Sequence, residues 1–307
     1  MRKIIQNSSG PPEVLELIGD APMPVPGPGE VLVEVRAAGV NPVDAKVRSG
    51  SGLLGAPPFT VGWDVSGVVV EGEGFEPGDE VFGLIRFPEE AAAYAEYVTA
   101  PAEELLPKPP TITHDEAAAI PLVAETAWQA LVHAADVQPG ERVLIHAGAG
   151  GVGHVAIQIA KARGAHVITT ASAIKHDFLT KLGADETIDY NEVDFAEVLA
   201  GSLDVVFDTI GSGTAAASLP ALKPGGRLVT IVEYRDESLP ELAASSDVEY
   251  HGALVKPSAD DLYEIVKLIS EHHFKIELAA VLSLEQADRA HELIETHRTT
   301  GKIVLIP

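Results

Sequence analysis

The chain has 307 residues, of which 46% are hydrophobic, and its formal net charge is −25. This length holds two domains of ordinary size, and the acidity argues against nucleic-acid or anionic-membrane partners, which need clustered Lys and Arg. The lack of cysteine excludes disulfides, thiolate nucleophiles and cysteine zinc sites. No stretch approaches a signal peptide or a membrane span of roughly 18 apolar residues, so we expect a cytoplasmic protein with no membrane partner.

The first ~125 residues predict a small β-barrel or sandwich. Alternating and apolar β-branched runs at 30–40, 64–72, 79–85 and 94–100 are separated by Pro and Gly clusters. The sequence then becomes Ala-rich and helical over 113–137, with Thr113 and Asp115 as candidate caps.

From 142 onward strands alternate with helices, which predicts a parallel doubly wound sheet. Strands are predicted at 142–146, 165–171, 186–190, 203–211 and 227–232, and helices at about 152–163, 175–182, 193–201 and 213–222. The final ~50 residues predict two helices and a strand at 302–306 that can rejoin the first domain.

A glycine motif follows the first of these strands. Gly148, Gly150 and Gly153 fit G-x-G-x-x-G between a strand and a helix, the context that the dinucleotide-binding motif requires. The first glycine makes the tight turn, the second lets the backbone approach a pyrophosphate, and the third packs the helix on the strand. We therefore predict that this loop binds a pyrophosphate through Gly148, Ala149, Gly150, Gly151, Val152 and Gly153. The alternative is an ordinary glycine-rich turn.

The end of the next strand indicates which dinucleotide binds. An NAD site usually has an acid about 20 residues after the loop, but the segment here reads TTASAIKH (169–176) and contains none. Ser172 and Lys175 offer a hydroxyl and a cation, which suit a 2′-phosphate, so NADPH is favoured over NADH. The alternative is that Lys175 only begins a solvated helix.

The chain resembles the zinc-free quinone oxidoreductases, or zeta-crystallin-like proteins, of the medium-chain dehydrogenase/reductase superfamily. The similarity runs nearly end to end and includes AAGVNPVDAKVRSG (37–50), VGWDVSGVVV (61–70), AAAIPLVAETAWQAL (117–131), the glycine loop, DVVFDTIG (204–211) and GKIVLI (301–306). It implies a GroES-like β-barrel catalytic domain at 1–122, to which 256–307 return, and a Rossmann NADP-binding domain at 123–255. It also suggests a homodimer joined edge to edge through the Rossmann sheets near 227–255.

Three catalytic candidates follow from the resemblance. Asn41 matches the asparagine near the nicotinamide, where its carboxamide can bond the cofactor or a substrate carbonyl. Thr126 matches the threonine that faces the nicotinamide, and a helical Thr bonded to its own backbone is the alternative. Asp44 is a weaker candidate, because a turn carboxylate capping its own backbone explains it better.

Further cofactor contacts are implied at matching positions. Lys175 and Tyr190 match residues that hold the 2′-phosphate in related reductases, and Arg298 either joins them or is a surface cation. The remaining contacts lie along or beside the nicotinamide: Ile210, Gly211, Ile231 and Val232. Lys302 is expected to brace its strand rather than touch the ligand.

Departures from the zinc-dependent relatives define the expected activity. Zinc relatives carry His-Glu where this chain has Trp63 and Asp64, so we expect no metal. The enoyl-reductase branch often places a Tyr after the NPxD motif, and 47–59 contain none. The function expected is NADPH-dependent reduction of a quinone. The alternatives are an NADPH-dependent alkenal or enone reductase and a non-catalytic NADPH-binding sensor or structural protein.

Two side-chain environments are also predicted. Trp63 is expected in the barrel core rather than in a substrate pocket. His291 and His297 are interpreted as solvated helix residues, because no H-E-x-x-H motif or ligand-type i, i+4 pair of histidines is present.

Overall fold

The structure, a computed structural model, describes residues 1–50, 53–272 and 274–307. These residues form two compact units. The first unit comprises Met1–Glu125, Lys256–Val266 and Ile276–Pro307, and the second comprises Thr126–Val255 and Lys267–Lys275.

The strands of the described residues are, in chain order, β1 (Lys3–Gln6), β2 (Leu15–Ile18), β3 (Glu30–Val40), β4 (Asp64–Gly72), β5 (Glu80–Leu84), β6 (Tyr97–Pro101), β7 (Leu106–Pro107), β8 (Arg142–Ile145), β9 (His166–Ala171), β10 (Glu186–Asp189), β11 (Leu203–Asp208), β12 (Leu222–Thr230), β13 (Glu249–Gly252), β14 (Leu278–Ser283) and β15 (Lys302–Ile306). The α-helices are α1 (Pro42–Arg48), α2 (His114–Ala118), α3 (Pro121–Trp128), α4 (Gly151–Ala162), α5 (His176–Lys181), α6 (Phe195–Val198), α7 (Thr214–Ser218), α8 (Leu239–Ser245), α9 (Ala259–His272) and α10 (Ala287–Glu295). None of the helices in the part of the chain that the structure describes is long and apolar enough to cross a membrane.

The first unit is built around a sheet with the order β14-β15-β3-β4-β5-β7, and β6 also pairs with β3. β3 is long and rich in Val and Ala, so it fits a buried central position. β15, the strand predicted at 302–306, pairs antiparallel with β3 and parallel with β14. The ends of β15, β3 and β4 therefore lie side by side.

Trp63 precedes β4 and is fully buried. Its ring packs edge-on against Phe87, with centroids 5.3 Å apart, and its Nε1 donates to the carbonyl of Glu89 at 2.6 Å. The core position predicted for Trp63 is confirmed.

The second unit contains a parallel sheet with the order β10-β9-β8-β11-β12-β13. Counted from β8 this order is 3-2-1-4-5-6, that of the Rossmann fold. The apolar residues of the strands and of α7 and α8 pack into one core, which includes Leu144, Ile168, Val206, Leu228 and Leu239. The predicted fold class, a GroES-like barrel with a doubly wound parallel sheet, is confirmed.

The helical segment predicted over 113–137 is interrupted. Thr113 caps α2 by accepting a hydrogen bond from the Glu116 amide, but Asp115 lies inside the first turn and is not a cap. Pro121 cannot donate to the preceding turn and begins a new helix, α3. α3 runs into a π-helical stretch at Gln129–Ala134.

The strand predicted at 203–211 ends early, at Asp208. The Asp208 carboxylate accepts hydrogen bonds from the amides of Ile210, at 3.0 Å, and Gly211, at 3.2 Å. Gly211 has a φ of 73°, which turns the chain away from the sheet.

Candidate functional site

The glycine loop follows β8 and leads into α4. β8 lies between β9 and β11, at the point where the strand order reverses. In open parallel sheets, ligands bind at the carboxyl ends of the strands at this switch point. The fold thus brings the predicted pyrophosphate loop to the position where a dinucleotide binds.

Two glycines of the loop are required by packing inside the protein. A Cβ on Gly148 would lie 1.9 Å from Thr169 Oγ1, and one on Gly153 would lie 2.3 Å from the carbonyl oxygen of Ala147. A Cβ on Gly150 would meet only the Ala147 oxygen, at 3.2 Å. The packing of the protein therefore excludes a side chain at Gly150 less strictly, which fits a surface that a ligand approaches.

The start of α4 offers hydrogen-bond donors to that ligand. Its N-cap is Gly150, which provides no side chain to cap the helix. The first amides of a helix have no acceptor within the helix, and the helix dipole favours an anion there. The residues present fit the pyrophosphate of a dinucleotide.

His146 supports the loop from inside the sheet. It is buried, and its Nδ1 and Nε2 lie 3.2 Å from Thr170 Oγ1 and 3.0 Å from Ser218 Oγ. The Ser218 hydroxyl donates to the Thr214 carbonyl, so it accepts from Nε2–H. Burial lowers the pKa of His146 to about 4, which keeps the imidazole neutral.

The residues predicted to hold the 2′-phosphate lie at the end of β9 and after β10. Ser172 follows β9 and leads into a short 3-10 turn at Ala173–Lys175, and burial lowers the pKa of Lys175. Tyr190 follows β10 directly, and its side chain is 59% exposed. Because β9 and β10 are parallel neighbours, these segments lie at the same edge of the sheet.

Sequence reasoning missed Asp189, the last residue of β10. Its carboxylate accepts a hydrogen bond from the Ala173 amide at 3.0 Å, inside the segment predicted to hold the phosphate. The search for an acid followed the chain only through the end of the second strand. The parallel pairing of consecutive strands was the signal that could have found Asp189.

The remaining predicted contacts of the second unit surround the ends of β11 and β12. A Cβ on Gly211 would lie 2.6 Å from Val232 Cγ1, so these two residues are neighbours. Ile210 is 44% exposed. Ile231 follows β12, and its amide donates to the Asp208 carbonyl. Thr126 lies in α3 and is nearly buried, at 5% exposed.

The first unit holds a buried polar cluster of Asn41, Asp44, Asp64, Tyr94, His291 and Lys302. None of these six residues is more than 2% exposed. Asp64 begins β4, Lys302 begins β15, and Asn41 directly follows β3, which lies between them. The strand order therefore brings the three together.

Asn41, the predicted nicotinamide-side residue, has partners for both polar atoms of its carboxamide. Its Nδ2 donates to Asp64 Oδ2 at 2.8 Å, and its Oδ1 accepts from Lys302 Nζ. A carboxylate only accepts and an ammonium only donates, so the orientation of the amide is fixed. The sequence gave no sign that Lys302 bonds this carboxamide as well as bracing β15.

Asp64 and Lys302 form a buried ion pair, with 3.5 Å between Oδ2 and Nζ. The other Asp64 oxygen accepts from the Leu122 amide at 2.7 Å, and Lys302 also donates to the Val40 carbonyl at 3.1 Å. Burial raises the pKa of Asp64 and lowers that of Lys302, and the attraction between the two opposes both shifts.

Asp44 stabilises the start of α1, as the alternative interpretation predicts. Its Oδ2 accepts from the Asn41 amide at 2.6 Å and from the Tyr94 hydroxyl at 3.1 Å. Its Oδ1 is buried without a hydrogen-bond partner among the described residues. Burial raises the pKa of Asp44 to about 7.

The prediction that His291 is solvated is wrong. His291 is fully buried, and its Nε2 lies 3.3 Å from the Tyr94 hydroxyl. It shares a helix face with Ala287, one turn earlier, and that face of α10 is buried. Burial lowers the pKa of His291 to about 3, so it is neutral. His297 is exposed beyond the end of α10.

Arg298 lies in the first unit, after α10. It lines a cavity of about 260 Å³ together with Ala280, Leu293, Thr296 and Ile303. Its predicted contact with the 2′-phosphate stays a prediction. Within residues 1–50, 53–272 and 274–307, no three His, Asp or Glu side chains form a group that could hold a metal ion.

Two family models match the chain. The model for the alcohol dehydrogenase GroES-like domain matches 27–110, and the model described as zinc-binding dehydrogenase matches 182–305. Two curated relatives are 32% identical: NAD(P)H oxidoreductase RTN4IP1, mitochondrial, from Danio rerio, over 96% of this chain and 88% of that protein, and quinone oxidoreductase from Sus scrofa, over 97% and 95%.

Solved structures show the same similarity. Quinone oxidoreductase from Coxiella burnetii is 38% identical with a TM-score of 0.94, covering 100% of this chain and 99% of that one. A structure titled NAD-dependent alcohol dehydrogenase, for which no organism is stated, is 35% identical with a TM-score of 0.90, and Escherichia coli quinone oxidoreductase complexed with NADPH is 28% identical with a TM-score of 0.90. These two similarities extend over 100% of each chain. The chain is therefore a nicotinamide-dependent oxidoreductase and belongs to the zinc-free quinone oxidoreductases of the medium-chain dehydrogenase/reductase superfamily.

Proposed function

We propose that this protein reduces quinones with NADPH and without zinc. The observation that carries the proposal is the carboxyl edge of the parallel sheet. There the glycine loop offers backbone amides, and Ser172 and Lys175 occupy the place of the acid that binds NAD. The NADPH named with the E. coli relative and the quinone oxidoreductase names of two relatives support it.

The residues of the second unit divide the cofactor between them in this proposal. Gly148, Gly150 and the first amides of α4 bind the pyrophosphate. Lys175 and Tyr190 bind the 2′-phosphate, and Thr126 with the pair Gly211 and Val232 faces the nicotinamide. When bound, the reduced nicotinamide supplies a hydride. The protein orients the acceptor and excludes water.

The buried polar cluster favours a quinone as the acceptor. Asp44, Asp64, Tyr94 and His291 are buried and bonded within the unit, so none of them is presented as a proton donor. Hydride transfer to a quinone leaves an oxygen anion that solvent protonates, whereas reduction of an alkenal or enone requires a proton at carbon. The acceptor that needs no positioned acid fits this site.

Mixing the protein with NADPH and benzoquinone tests the activity. We expect NADPH to be consumed, followed by its absorbance, and an alkenal and an enone to be reduced more slowly. Oxidation with an enone but with no quinone contradicts the proposed substrate class. Tight NADPH binding without oxidation by either class identifies a sensor instead.

Replacing Lys175 by Ala tests the cofactor assignment. A half-buried lysine bonded to a phosphate contributes about tenfold in affinity, so Lys175→Ala is expected to raise the Kd of NADPH by about that factor and leave that of NADH unchanged. Lys181→Ala, at the exposed end of α5, is the matched control. Equal NADPH and NADH affinities in the unmodified protein contradict the roles of Ser172, Lys175 and Tyr190.

A homodimer joined through β13 completes the proposal. β13 is the edge strand of the Rossmann sheet, so its outer backbone groups are placed to pair with those of a second copy. Light scattering on the purified protein is expected to give twice the chain mass. A monomer at micromolar concentration contradicts the dimer.

A further inference from the structure

Asp189 occupies a defined place beside the adenosine end of the predicted cofactor site. In the parallel pairing of β10 with β9, Asp189 is level with Ala171, the last residue of β9. The residue after Ala171 is Ser172. Asp189 thus stands at the carboxyl edge of the sheet one strand away from the position where NAD enzymes place their ribose-binding acid.

Three hydrogen bonds hold the Asp189 carboxylate. Oδ2 accepts from the Ala173 amide at 3.0 Å, and Oδ1 accepts from the Asn191 amide at 2.9 Å and from Asn191 Nδ2 at 2.8 Å. The carboxylate therefore joins the segment after β9, which carries Ser172 and Lys175, to the turn after β10, which carries Tyr190.

The charge of Asp189 is retained at neutral pH. The hydrogen bond from the Asn191 amide, with those from Ala173 and the Asn191 side chain, lowers the pKa of this carboxyl. A full negative charge consequently stands in the region where a 2′-phosphate would add about two more.

We propose that Asp189 is a specificity-determining residue that limits the preference for NADPH, so that the protein also accepts NADH. The proposal rests on the nucleotide site of the proposed function. Lys175 attracts the 2′-phosphate and the fixed carboxylate repels it, whereas the uncharged 2′-hydroxyl of NADH experiences neither force. Because the two effects oppose each other, we expect NADPH to bind more tightly than NADH by about tenfold or less.

Fluorescence titration of NADPH and NADH at low salt tests the proposal on wild type and Asp189→Asn. The variant keeps an oxygen that can accept one of the hydrogen bonds and removes the charge. We expect its Kd for NADPH to fall about fivefold and its Kd for NADH to stay within about twofold. The gain is expected to shrink near 1 M salt, where the Debye length is about 3 Å.

Two control variants separate charge from structure. Asp194→Asn removes an exposed charge close by in the sequence, and an Asn keeps the cap of α6. Asn191→Ala removes one hydrogen bond to Asp189 and keeps its charge. Neither is expected to change the ratio of the two Kd values.

The outcomes distinguish this inference from the proposed function. Equal changes in both Kd values in Asp189→Asn show a structural role and overturn the inference. An unchanged ratio, or a wild-type preference above about a hundredfold for NADPH, also overturns it and leaves the proposed function standing. Wild type that binds neither nucleotide contradicts the proposed function and the inference together.

Discussion

The glycine loop and the buried polar cluster solve opposite problems. The loop lacks side chains at three positions and turns its backbone toward a ligand, whereas the cluster brings together six polar side chains and hides them. The loop gains its remaining hydrogen bonds when an anion binds. The cluster satisfies most of its hydrogen bonds internally.

This difference separates the expected effects of substitution. A change in the cluster leaves a buried charge or polar group without its partner, so it reduces stability. A change in the loop alters the surface offered to the cofactor, so it reduces binding. Variants that reduce both equally would show that the two regions are not distinct in this sense.

Lys302→Met is expected to have the largest effect. It leaves the Asp64 carboxylate buried without its cation, which costs about 3–5 kcal/mol of unfolding free energy. Denaturant titration measures the loss, and NADPH affinity is expected to change less than about threefold wherever the variant is folded.

Lys223→Met is the matched control for Lys302→Met. Its Nζ lies 2.7 Å from Asp204 Oδ1, but the Lys223 side chain is 42% exposed. An exposed pair of this kind contributes less than about 1 kcal/mol. Equal losses in the two variants contradict the role assigned to burial.

The pH dependence of Asp44→Asn comes next in size. Because the pKa of Asp44 is about 7 in the folded protein and near 3.8 when unfolded, the folded state holds the proton more tightly. The unfolding free energy of wild type, taken relative to the variant, is therefore expected to fall by up to about 4 kcal/mol as pH rises from about 4 to 7. Above pH 7 the difference is constant.

Chemical denaturation at several pH values between about 4 and 8 measures this difference. His146 and His291 titrate in both proteins and cancel in the comparison. A difference that does not vary with pH contradicts the buried, proton-retaining state of Asp44.

Gly153→Ala is expected to reduce stability least and binding most. Its Cβ would lie 2.3 Å from the Ala147 carbonyl, so the loop must shift, at about 2–3 kcal/mol of stability and more than tenfold in NADPH affinity. Gly19→Ala, where a Cβ meets nothing within 4 Å, is the control. Retention of full affinity in Gly153→Ala sinks the assignment of this loop to the pyrophosphate.

Sequence reasoning finds the loop because its constraints are contiguous. Gly148, Gly150 and Gly153 follow a strand and begin a helix, so the motif and its context are read in one window. The alternation that follows predicts the parallel sheet for the same reason.

The cluster could not be predicted in this way. Asn41, Asp64 and Lys302 meet only because β15 lies beside β3, and their separation in sequence carries no sign of that pairing. Asp189 was missed for a related reason, since its significance depends on the neighbour of β9 rather than on β9 itself. The burial of His291 was within reach, because Ala287 and His291 lie on one face of α10.

The position of β15 also sets an order for synthesis on the ribosome. Residues 302–306 form an interior strand between β14 and β3, and they complete a unit whose other residues begin at Met1. A nascent chain that stops before Lys302 leaves one edge of β3 unpaired and Asp64 without its ammonium partner. Most of the second unit, Thr126–Val255, has by then been made, so its parallel sheet can be complete while the surrounding unit still waits for its last strand.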